Sequence, residues 1–90
     1  MEEQDYNKNG KISKYTSLDE ILRLNISDRV RDEFKTKFNK KVFFDKDGSC
    51  RIGKLVGLEV NEKLSAHYYI IDTEDKKIYV PCNNSLTLLV

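Results

Sequence analysis

The sequence predicts an α+β domain: an N-terminal helix or helix pair packed on a five-stranded, strongly bent antiparallel small β-barrel. Three observations lead there. Two capped, amphipathic segments occupy residues 17–39. Short apolar runs then recur about every ten residues, each closed by a turn signal. The second of these runs, Cys50 to Val60, is long and holds Gly53 and Gly57 in its interior. Glycine inside a strand marks a bend or bulge, and a long bent strand is what a small barrel needs to close.

The elements follow in order. Residues 1–16 are polar, with Gly10 and scattered apolar side chains, and read as a flexible arm with some order near Ile12 and Tyr15. Residues 17–90 form one domain. Ser17-Leu-Asp-Glu20 is a capping box ahead of the apolar Leu18, Ile21 and Leu22. Asn25 to Asp28 breaks that helix and supplies a new N-cap. A second helix over about 28–39 places Val30, Phe34 and Phe38 on one stripe. Its acids come early and its lysines late, which suits the helix dipole, and Glu33 sits four residues before Lys37. Val42 to Phe44 starts the strands. Asp45 to Ser49 turns, with Gly48 where positive φ is wanted. After the long second strand come His67 to Ile71, Ile78 to Val80 and Leu86 to Val90. Pro81 ends the fourth strand because it cannot donate to a ladder.

Composition sets bounds. A hydrophobic fraction of 39% and a charged fraction of 34% suit a folded, soluble domain. No apolar run approaches the roughly 20 residues of a membrane span. The polar, acidic beginning MEEQDYNKNG does not read as a signal peptide. The expectation is a cytoplasmic protein. Cys50 and Cys82 read as two ordinary buried thiols, with a bridge between neighbouring strands left open. The net charge of +1 is uneven: residues 6–41 carry ten bases against five acids. A Lys-, Asn- and Ile-rich composition suits an AT-rich genome, such as a bacterial or phage one.

The run Gly48-x4-Gly53-x-Leu55-x3-Glu59, after a helix and within five strands, resembles the Sm-like fold and the wider group of SH3-like small barrels. The resemblance covers about residues 28–90 and implies a bent barrel. In Sm-like proteins it further implies RNA binding and ring assembly through the last strand. The residues that hold RNA bases in that family are not matched. Glu59 is followed by Glu62-Lys63, and the second motif position reads Pro81-Cys82-Asn83-Asn84.

Catalytic and metal chemistry finds little footing. Asp45-x-Asp47-x-Ser49 and Asp5-x-Asn7-x-Asn9 imitate calcium loops, but their twelfth positions are Val56 and Thr16 where a bidentate glutamate belongs. The single histidine, His67, reads as a surface or strand-edge residue rather than half of a pair with Ser65. Gly53-Lys54 lacks the upstream glycine of a phosphate loop. No enzyme activity, metal or cofactor is expected.

Binding has more support. Arg29, Arg31, Lys35, Lys37, Lys40 and Lys41 cluster near the second helix, and Lys46 and Lys54 follow. Tyr68 and Tyr79 offer stacking surfaces, as do Phe43 and Tyr69. The candidate nucleic-acid or partner-binding residues are Arg31, Lys35, Lys37, Lys40, Lys41, Lys54, Tyr68 and Tyr79. Five acids interrupt the basic segment, so a solvated face with ordinary ion pairs competes with this reading. The apolar Leu86–Val90 run is an edge that invites pairing with another copy. The function read from the sequence is a non-enzymatic binding module, an adaptor or inhibitor with a protein partner. The alternative is a nucleic-acid-binding barrel that uses the basic helix end.

Overall fold

The computed structural model describes residues 11–89. Its elements are β1 (Ile12–Tyr15), α1 (Leu18–Leu22), α2 (Asp28–Lys37), β2 (Lys41–Lys46), β3 (Ser49–Asn61), β4 (Ala66–Asp72), β5 (Lys77–Pro81) and β6 (Thr87–Leu88). Two short helices thus pack on a six-stranded antiparallel sheet. The strands run β5-β4-β3-β2-β6, and β1 pairs with β3 beside β2.

The sheet is not closed into the expected barrel. β5 and β6 sit at opposite ends of the strand order and do not pair. The reason lies in the last run. Leu86 turns into the core at 5% exposure, and only Thr87 and Leu88 reach β2. What remains of the run, Thr87 and Leu88, pairs with β2 alone. The sixth strand comes from the expected arm: Ile12 to Tyr15 pair with Asn61 to Leu58. The rest of that arm, residues 1–10, and with it the Asp5 to Gly10 part of the first calcium-like loop, lies outside the described residues.

Local chemistry accounts for the helices. Ser27 caps α2, its hydroxyl oxygen accepting from the Val30 N–H at 3.3 Å. Ser17 stands at the N-cap of α1, but its side chain makes no capping hydrogen bond, so the expected capping box is only positional. The connection between the helices is tied down by Arg31. Its guanidinium donates to the carbonyls of Leu22, Leu24 and Ile26 at 3.4, 3.1 and 3.4 Å. Those are groups that the end of α1 and the following turn leave without helical partners. The stripe behaves as expected: Val30 and Phe34 are buried and Phe38 is half-buried.

The core fills one face of the sheet. Ile21, Val30 and Phe34 from the helices meet Val42, Phe44, Leu55, Leu58, Tyr69, Ile71, Ile78 and Val80. Phe34 packs on Tyr69 with ring centroids 5.7 Å apart and an interplanar angle of 53°. The bend in β3 falls where its glycines predict. The register with β4 shifts between Leu55 and Gly57. A Cβ on Gly57 would lie 2.5 Å from the Tyr15 carbonyl oxygen, so only glycine lets the chain leaving β1 pass this close.

Candidate binding site

The β2–β3 hairpin turns on two residues, Asp47 and Gly48, at φ 54° and 79°. Both lie in the left-handed region that a two-residue hairpin of this kind requires. The calcium-like run Asp45 to Ser49 is therefore an ordinary strand turn. The turn also sets the hydrogen-bond phase of the ladder. Lys46 and Ser49 flank it, so Lys46/Ser49, Phe44/Arg51 and Val42/Gly53 are the bonded pairs. The next position agrees, because the Leu55 N–H donates to the Lys40 carbonyl at 3.2 Å. Cys50, Ile52 and Lys54 accordingly direct their N–H and C=O groups to the opposite edge of β3.

On that edge β4 covers β3 only from Lys54, which pairs with Asp72. Beyond it the Thr73 to Lys76 turn carries the chain away to β5, held by a Thr73 N–H to Lys76 carbonyl bond of 2.9 Å. The Ser49–Gly53 segment is thus paired with β2 alone. A cleft of about 550 Å³ lies there, lined by Lys41, Arg51, Ile52, Lys54, Asp72 and Lys76 among others. Ile52 is 53% exposed. It stands opposite half-buried Phe43, which in turn faces Thr87 on β6.

The sequence-predicted residues divide into three groups. Lys40, Lys41 and Lys54 come together: Lys41 and Lys54 are cross-strand neighbours, and Lys40 bonds to Leu55. All three are exposed, as is Lys35 in the last turn of α2. Arg31 and Lys37 are engaged elsewhere. Arg31 holds the three carbonyls and lies 3.5 Å from Asp28, and Lys37 lies 2.5 Å from Glu33. Tyr68 and Tyr79 lie at the other end of the sheet, flanking Ile70 in the β4–β5 ladder. They are four and two residues, or about 13 and 7 Å, along the strands from the Lys54/Asp72/Lys77 row. Lys14 sits over the Tyr79 ring, 5.0 Å from its centroid, and its pKa is raised by hydrogen bonding to and charge interaction with Tyr79.

A second cleft, of about 470 Å³, separates the α1–α2 connection from the ends of β4 and β5. Arg29, His67, Pro81 and Cys82 line it. The Arg29 guanidinium donates to the Cys82 carbonyl, and the Cys82 N–H donates to the His67 carbonyl at 3.0 Å. His67 is half-buried on β4, opposite Val60. Burial pushes the Cys82 thiol up to about 12, with Glu33 adding to and Arg29 opposing the shift. Burial likewise raises Tyr69, whose hydroxyl has no hydrogen-bond partner among the described residues. The thiols are both free, and the expectation of two buried ones holds for one of them: Cys82 is buried and Cys50 is exposed. Cys50 projects from the open part of β3, where no layer covers the outer face.

Sequence reasoning missed the open edge of β3. Its signal was present: the Cys50–Val60 run is far longer than the His67–Ile71 run that pairs with it. No helix among the described residues is long and apolar enough to cross a membrane. No protein-family model matches the chain, and neither a curated protein nor a solved structure shows significant similarity to it.

Proposed function

We propose that the protein is a non-enzymatic binding module, an adaptor or inhibitor whose partner is another protein. The observation that carries this reading is the open sheet. The terminal strand β6 has no partner on its outer side among the described residues and is followed by Leu89 at 40% exposure, and the part of β3 that β4 leaves uncovered carries Ile52 at 53%. Unpaired edges beside exposed apolar side chains are the surfaces through which β proteins join other chains. The strand order and the bend at Gly57 support the resemblance to Sm-like and SH3-like barrels as a likeness of architecture. Pairing of a second copy along the Leu86–Val90 run belongs to the same reading. The test is affinity capture on the immobilised chain from a nuclease-treated lysate of its host. Retention of one protein in stoichiometric amount is expected, and retention of none contradicts the reading.

A second reading, nucleic-acid binding, is favoured by the juxtaposition of Lys40, Lys41 and Lys54. Like charges directly across a ladder repel, and a phosphate between them would relieve that. Three phosphate contacts would give a log–log salt slope of about −2 to −3 in a gel-shift titration. Charge reversal at Lys35, Lys37, Lys40 and Lys41 should then abolish the shift, and an unchanged shift rejects this reading.

A further inference from the structure

We propose that the free edge of β3 from Ser49 to Ile52 is a docking site for an extended peptide of alternating acidic and apolar residues. This deepens the protein-binding reading and rests on it. The first support is geometric. Cys50 and Ile52 each direct one N–H and one C=O away from β2, and neither makes a ladder bond to β4 or a backbone bond elsewhere among the described residues. The two residues lie about 7 Å apart along the strand, the repeat of an added antiparallel partner. Such a strand would continue the line of β4 past Thr73, whose side chain lies against Gly53, in the cleft beside the Thr73–Lys76 turn. It would gain four backbone hydrogen bonds without displacing any.

The side chains specify the occupant. A peptide residue opposite Ile52 lands on the face that carries the exposed Ile52 side chain and its neighbour Phe43. It gains by being apolar and β-branched. The next peptide residue falls opposite Arg51, on the other face. Arg51 is exposed and makes no ion pair among the described residues; Lys41 and Lys54, also without one, stand three residues along β3 on the Ile52 face. A carboxylate opposite Arg51 meets an uncompensated guanidinium. Asp72, which ends β4 and stands opposite Lys54, and Glu74 and Asp75 of the following turn also line the cleft, so the site favours a carboxylate at the Arg51 position rather than an acidic peptide throughout.

The edge is also unguarded. β5 is blunted by Lys77 at one end and Pro81 at the other, two devices that discourage strand addition. The Ser49–Ile52 segment has no proline, and its only charge is Arg51.

The probe is an acetylated, amidated Glu-Val-Glu-Val-Glu peptide, followed by amide nitrogen–proton correlation spectra of the full chain. Its Lys-Val-Lys-Val-Lys counterpart is the control. Expected are shifts centred on residues 49–54, new exchange protection at the Cys50 and Ile52 amides, and at least tenfold weaker binding of the lysine peptide. Arg51→Glu should weaken the acidic peptide about tenfold. Ile52→Pro removes one edge-facing N–H and leaves the bonded pairs with β2 in place, so it should fold and lose the peptide. Shifts elsewhere, no shifts, or equal binding of both peptides overturn the proposal. So does a dimer by light scattering in which the free protein already protects Cys50 and Ile52, since a second copy would then hold the edge. A captured host protein retained equally by wild type, Ile52→Pro and Arg51→Glu would leave the protein-binding reading standing and remove this site from it.

Discussion

One strand, β3, runs through two different environments. From Lys54 to Asn61 it is paired on one edge with β4, apart from the bulged Val56, and on the other with Lys41, Lys40 and then β1. Leu55 and Leu58, in this half, are fully buried under the helices. From Ser49 to Ile52 it has β2 on one side and no strand on the other, and its side chains are exposed; Gly53, buried against Ile71, Asp72 and Thr73, marks the boundary. The paired half carries the folding energy. The open half adds little to it and offers unsatisfied hydrogen-bonding groups next to an exposed isoleucine. Stability and binding are thus separated along a single backbone, with the bulge near Gly57 in the stable half.

The largest break in this contrast should come from the core beneath the paired half. Phe34→Ala removes a fully buried ring that packs on Tyr69 and should cost about 3–5 kcal/mol in urea unfolding. Gly57→Ala should cost about 1–3 kcal/mol, since its methyl meets the Tyr15 carbonyl, a backbone atom that cannot swing aside. Alkaline pH acts on the same half. The unfolded Cys82 thiol ionises near 9.0 while the folded one resists until about 12. The unfolded chain therefore binds fewer protons in that window, so this stability is present below pH 9 and lost as pH rises towards 12. Between pH 9 and 10 the loss from this thiol should be about 1.4 kcal/mol, and above pH 10 the buried Tyr69 hydroxyl, whose pKa burial also raises, adds to it. Cys82→Ala should flatten the slope between pH 9 and 10, and Cys50→Ala should leave it unchanged. Ile52→Thr in the open half should shift stability by less than about 0.5 kcal/mol. An Ile52→Thr loss as large as that of Gly57→Ala would erase the distinction between the halves.

The regular elements were legible because local chemistry decided them. The Val30, Phe34, Phe38 stripe and the Ser27 cap needed only helical spacing and a hydroxyl. Gly48 announced the turn and Gly57 the bend. What depended on distant partners was not legible. Ile12 to Tyr15 are polar enough to read as an arm and become a strand only because Leu58 to Asn61 lack another neighbour on that edge. The last strand shrank because Leu86 found a place in the core. Of the candidate site, the lysines at positions 40, 41 and 54 could be named, but not that Arg31 is committed to three carbonyls of its own loop. The open edge followed from comparing strand lengths across a pairing that sequence alone left implicit.

Residue-resolved amide hydrogen exchange on the free monomer tests the separation most directly. Opening near the hairpin is expected to expose amides by alternation. Arg51 and Gly53, bonded to β2, should be protected, and Cys50 and Ile52, facing the open edge, should exchange at close to the unprotected rate. Leu55 and Leu58 should be protected up to the level of global unfolding. Protection of Cys50 and Ile52 equal to that of Arg51 and Gly53 would contradict the account, because the edge would then already be covered.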